Sequence, residues 1–178
     1  MRVIRVLLGM LFAVSPGVAC GQSFLLDGAV GPTINDAGYS VAGGIGFTPA
    51  SRVAISVDLE RTHLSSELQT DRRGGVHGFR GGTLTLASAQ LRISLLRRDR
   101  IGPYGVVGYA AGVSRPTVNE MFPDAVTNHV HAMFFGGGIH IPLRERIGLF
   151  GDARMTIGSE AGELLAVIPI RAGIAWYF

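Results

Sequence analysis

The sequence predicts an all-β fold: a closed eight-stranded antiparallel up-and-down barrel that spans a membrane, preceded by a cleaved signal peptide. Three observations carry this expectation. Apolar residues alternate with small or polar ones along short segments separated by turn residues, and no segment has a convincing helical period. From the second onward, the connections between segments alternate long and short. The last eight residues, RAGIAWYF, place Ile174, Trp176 and Phe178 on one side of a strand and Arg171, Gly173, Ala175 and Tyr177 on the other. The ends of soluble domains usually fray in water, so an aromatic final strand suits one that closes a barrel within a membrane.

The N-terminus reads as a secretory signal over residues 1–21. Arg2 and Arg5 form its charged start, Val6 to Val14 its apolar run, and Ser15, Pro16 and Gly17 the break before small residues. The run is shorter than the roughly 20 residues of a membrane-spanning helix. Cleavage is expected after Cys20 or Gly21; a lipid-modified Cys20 is the alternative. The barrel domain is expected over residues 22–178.

The clearest strand candidate is Val53 to Thr62, with Val53, Ile55, Val57 and Leu59 on one face and Ala54, Ser56, Asp58 and Glu60 on the other. Ile147 to Ile157, Ile168 to Phe178 and Tyr39 to Phe47 alternate in the same way. Phe24 to Ile34, Thr83 to Leu95, Pro103 to Val113 and His129 to Ile141 complete the eight. In Thr83 to Leu95 the apolar parity slips between Leu86 and Leu91, as a bulge or emergence above the lipid would make it do. Residues of Pro103 to Val113 are too small to fix a facing.

With both termini periplasmic, the even-numbered connections TPASR, LRRDRIG and PLRER are periplasmic turns, and Leu64–Gly82, Ser114–Asn128 and Gly158–Leu164 are external loops. Strands of about ten residues tilted by about 40° cover roughly 25 Å, which suits an outer membrane.

Composition separates a membrane barrel from a soluble one with an apolar interior. Charged residues make up 16% of the chain, against roughly 25% in ordinary soluble proteins. The non-apolar face is rich in Gly, Ala, Ser and Thr, as a tight lumen requires. Tyr39, Phe47, Tyr104, Trp176 and Phe178 near strand ends suit interfacial girdles. Without Arg2 and Arg5, 14 basic residues face 13 acidic ones, and no basic patch interleaved with aromatics points to nucleic acid. The expected location is the bacterial outer membrane.

The signal, the eight strands and the segments GPYGVVGYAAGV and GGGIHIPLRERIGLFGDARM together resemble small outer-membrane barrels of the OmpA transmembrane-domain and OmpX type. The terminal pattern of Arg171, Gly173, Trp176 and Phe178 resembles the C-terminal assembly signal of such proteins. The resemblance implies a plain barrel, probed by the barrel assembly machinery and embedded in outer-membrane lipid and lipopolysaccharide.

Inward-facing charges are expected to form a plug of Asp27, Asp58, Glu60, Arg92, Asp152, Arg154 and Arg171. Arg92 on the neighbouring strand is expected to meet Asp58 and Glu60; Asp152 is expected to meet Arg154 and Arg171, with Asp27 near Arg171. An eight-stranded barrel is just wide enough for side chains to fill.

Three further patterns carry weaker chemistry. His63 and Ser65 with Glu67 have the residue types of a lipid A deacylase, but lack the sequence neighbours of that family. His129 and His131 share a strand face at a metal-compatible spacing without a third ligand. Arg72, Arg73 and Arg80 in the Leu64–Gly82 loop would stand among lipopolysaccharide phosphates, which arginine pairs with bidentately. The expected protein is therefore a non-enzymatic, monomeric surface barrel without cofactor or metal, serving envelope integrity or surface recognition. A narrow solute pore and a lipid A-modifying enzyme are the alternatives.

Overall fold

Period-two alternation becomes a continuous antiparallel ladder in the computed structural model, which describes residues 23–34, 38–65, 68–70, 76–78, 81–117, 126–160 and 163–178. The expected signal segment, including Cys20, lies outside these residues. Seven strands are uninterrupted: β1 (Ser23–Pro32), β2 (Tyr39–Ala50), β3 (Val53–Leu64), β4 (Gly82–Ser94), β5 (Gly102–Pro116), β6 (Asn128–Arg144) and β7 (Ile147–Glu160). The eighth, β8, comprises Glu163–Val167 and Ile170–Tyr177. A small hairpin of Leu68–Thr70 with Val76–Gly78 sits in the β3–β4 connection.

Pairing follows chain order, and β1 closes on β8 from Leu25↔Tyr177 to Val30↔Ala172. The architecture is thus a closed eight-stranded up-and-down barrel. From Val30, register partners run through Val41, Arg61, Thr85 and Val113 to His129 on β6. In the opposite direction they run through Ala172 and Gly151 to Ile139 on the same strand. The two arrivals lie ten residues apart, a stagger that goes with strands tilted by about 40°.

The break in β8 falls at Pro169, which has no N–H to donate. Its register nevertheless runs through, with Val167↔Thr156 before the break and Ile170↔Ala153 after it, and the Pro169 carbonyl accepts the Arg154 amide at 3.1 Å. This continuity corrects the expected Gly158–Leu164 loop. Strand pairing reaches Glu163↔Glu160, so the long connections are those from β3 to β4 and from β5 to β6.

The parity slip in β4 also has a different origin from a bulge. The β3–β4 ladder is unbroken from Val53↔Ile93 to Leu64↔Gly82. Leu84 and Leu86 point into the barrel and are buried, while Leu91 and Ile93 point outward. Toward the long-loop end, Leu84, Leu86, Val130 and Val167 fill the lumen with apolar side chains, and the outward positions beside the two leucines are Thr83 and Thr85. Register shifts do occur at the short-turn end, between Phe47 and Ala50 and between Pro142 and Arg144.

The outward face is a belt of large apolar side chains. Ile45 is 67% exposed, Val57 58%, Phe135 53% and Ile174 56%, so a fully folded molecule leaves on its surface the residues that ordinarily make a core. Trp176 and Phe178 belong to this face, their rings stacked with centroids 5.3 Å apart. Tyr104 does not: it points into the lumen and is 4% exposed. This corrects its expected place in an aromatic girdle. Its neighbours on β5 are mostly Gly, Ala and Val, which leave the facing of the strand undetermined by sequence.

Candidate functional site

Charges that cannot face an apolar belt must turn inward, and the strand period delivers them there from five strands. β1 supplies Asp27, β3 Asp58 and Glu60, β4 Arg92, β7 Asp152 and Arg154, and β8 Arg171. All are buried except Glu60, which is partly buried. A buried charge is tolerated when ion pairs and hydrogen bonds replace its water, and the contacts form such a network.

Asp152 is its hub, with a side chain wholly shielded from solvent. Its Oδ1 accepts from Arg171 Nε at 3.1 Å. Its Oδ2 accepts from the Tyr104 hydroxyl at 2.9 Å, Arg154 Nη2 at 3.1 Å and Arg171 Nη2 at 3.3 Å. Arg171 reaches across the lumen with Nη1 to Glu60 Oε2 at 3.2 Å. Arg154 extends the network to Asp58, 3.9 Å away, and lies over the Phe134 ring at 5.3 Å.

Asp58 takes most of its hydrogen bonds from uncharged neighbours. Gln90 Nε2 donates to its Oδ2 at 2.6 Å and the Ser56 hydroxyl to its Oδ1 at 3.0 Å. Arg92 pairs instead with Asp27 at 3.5 Å, a different partner from the Asp58 and Glu60 expected by adjacency. Its guanidinium lies between the rings of Tyr104 and Phe150, 4.9 and 5.0 Å from their centroids, an arrangement in which ring faces replace part of the lost hydration. Gly44 lets the two acidic groups approach. A Cβ there would overlap Asp58 Oδ1 and lie 2.8 Å from Asp27 Oδ1.

Chemically, this arrangement fills space and cancels charge. Gln90, Ser56, Tyr104, Phe134 and Phe150 were not singled out as site residues by sequence. The available signal was parity: Ser56 precedes Asp58 by two, Gln90 precedes Arg92 by two, and Phe150 precedes Asp152 by two.

His63 faces outward with its ring 5.3 Å from that of Tyr39; Glu67 lies outside the described residues. His129 and His131 both face outward, and His131 Nδ1 is 2.8 Å from the Tyr109 hydroxyl. Among the described residues, no group of three or more His, Cys, Asp or Glu is placed to hold a metal. Arg72, Arg73 and Arg80 lie outside the described residues.

No family model matches the chain, and no curated protein matches it. Several solved structures share its fold. The N-terminal β-barrel domain of Pseudomonas aeruginosa OprF has a TM-score of 0.63 at 14% identity, covering 88% of this chain and 97% of that one. Neisserial surface protein A gives 0.65 at 11% identity, covering 89% and 99%. Ail, the attachment invasion locus protein of Yersinia pestis, gives 0.52 at 11% identity, again covering 89% and 99%. At these identities the likeness is one of architecture: the chain has the closed eight-stranded barrel fold of small outer-membrane proteins.

Proposed function

We propose that this protein is a structural outer-membrane barrel whose lumen is a plug and whose task is to hold the β3–β4 and β5–β6 connections outside the cell, in envelope integrity or surface recognition. The carrying observation is the inversion of polarity: four carboxylates and three guanidinium groups turn inward while Ile45, Val57, Phe135 and Ile174 stand exposed. In water such a belt would drive association; in a bilayer it meets hydrocarbon. On this reading, residues 1–21 direct export, and Arg171, Gly173, Trp176 and Phe178 form the pattern presented to the assembly machinery. The fold likeness to outer-membrane barrels supports the location.

The plug is tested by electrical recording from pure protein reconstituted in bilayers, with folding checked by heat-modifiable gel mobility of the same sample. The expected result is folded protein without a steady, large conductance, because Asp152, Arg154, Arg171 and Glu60 join across the lumen. A steady, large conductance from folded protein would replace the plug with a pore.

A further inference from the structure

We propose that the outward face of β3 to β6, at the long-loop end, binds the phosphorylated headgroup of lipopolysaccharide. The inference rests on the membrane reading above and assigns a specific part of the barrel wall to one outer-leaflet lipid.

The observation is a one-sided distribution of charge. Among the described strand residues that face outward at the long-loop end, only Arg61 on β3 and Arg115 on β5 are charged, and none is a carboxylate; Arg144, the other exposed strand arginine, lies at the short-turn end of β6. His63, His129 and His131 are the outward histidines, and they lie on the same four strands at the same end. At the corresponding end of β7, β8, β1 and β2, the outward residues whose side chains are described are uncharged: Ser159, Leu164, Ile34 and Tyr39 among them. A general interfacial girdle would serve lipid all round the barrel, whereas this patch favours an anion on one side.

Strand register assembles the patch. One row runs Tyr39, His63, Thr83, Arg115; the next runs Arg61, Thr85, Val113, His129. The two β4 threonines therefore lie between the arginine of β3 and that of β5. Both arginines are exposed, and no carboxylate among the described residues pairs with either. Two histidines are steadied by tyrosines, His63 beside the Tyr39 ring and His131 through the Tyr109 hydroxyl.

Height selects the ligand. The strand stagger lifts β5 relative to β3 and places Arg115 roughly 10 Å above Arg61. Arg61 is at the edge of the apolar belt, where a lipid phosphate next to the acyl chains would lie. Arg115 stands where only a tall headgroup bearing additional phosphate can reach. Guanidinium groups pair with phosphate bidentately, and the intervening threonine hydroxyls add neutral hydrogen bonds.

The experiment compares lipid retention by the purified full chain in detergent. The probes are lipopolysaccharide with a phosphorylated inner core, the same material after dephosphorylation, and phosphatidylglycerol. Folding is scored separately by heat-modifiable mobility, so failure of the barrel reading is distinguishable from failure of this one. Wild type should retain the phosphorylated form about tenfold more strongly than either other probe, and Arg61→Gln/Arg115→Gln should lose about that factor while remaining folded. Arg97→Gln/Arg144→Gln, at the short-turn end, should retain it as wild type does. Equal retention of the three probes, an unaffected Arg61→Gln/Arg115→Gln variant, or an equal loss in the short-turn variant would each overturn the proposal. If the patch variant does not fold, the three-probe comparison on wild type decides alone.

Discussion

Replacing Asp152 with alanine is expected to lower the unfolding free energy by roughly 3–5 kcal/mol, the range for removing one partner from a buried ion pair. The size follows from what is abandoned. Asp152 accepts from both Arg154 and Arg171 and from the Tyr104 hydroxyl, so its loss leaves two buried guanidinium groups close to one another. Arg171 keeps Glu60 at 3.2 Å, but Arg154 keeps only the longer 3.9 Å approach to Asp58. Asp152→Asn should lose less, since the amide oxygen still accepts a hydrogen bond. Asp99→Ala should change stability by no more than about 1 kcal/mol, because the exposed Arg97–Asp99 pair is largely screened by water. Urea unfolding in lipid vesicles measures all three variants. Trp176, the one tryptophan, faces outward and reports the loss of the lipid environment. A loss below about 1 kcal/mol for Asp152→Ala would remove Asp152 from the centre of the plug.

The second large effect concerns the opposite face. Val57→Arg should destabilise the barrel in a bilayer by roughly 2–4 kcal/mol, the cost of a basic side chain near the midplane of a barrel's lipid face. Val57 is outward-facing and 58% exposed, midway along β3 between the buried Ser56 and Asp58. In a water-soluble barrel the same substitution would exchange an exposed valine for an exposed arginine and change stability by no more than about 0.5 kcal/mol. Urea unfolding in vesicles therefore separates lipid from water as the medium around β3. A near-neutral substitution would place this face in water.

Much of the wall was legible from sequence because a period of two is a local property. Asp58 and Glu60 are separated by Leu59, and Asp152 and Arg154 by Ala153, so once the large apolar residues faced outward the charges had to face inward. The partners were less legible, because contact across a lumen depends on tilt, stagger and radius. Arg92 was expected to meet Asp58 on the neighbouring strand, but Gln90 already occupies Asp58 and Arg92 turns to Asp27. Arg171 meets Glu60 from β8 to β3, a pairing that no adjacency in the chain indicates. Two failures share one cause. Leu84 and Leu86 are apolar yet point inward, because the long-loop end of the lumen has an apolar layer. Tyr104 is aromatic and near a strand end, yet it serves Asp152 inside. In both places residue type alone does not determine facing; the continuous register does.

Heat-modifiable gel mobility of fractionated cells tests most directly whether the chain is a closed barrel folded in the outer membrane. The prediction is that the protein sediments with the outer membrane and migrates faster when unheated than when boiled, since a closed barrel stays compact in detergent until heat opens it. Protein found in the soluble periplasmic fraction, with the same mobility before and after boiling, would contradict the account.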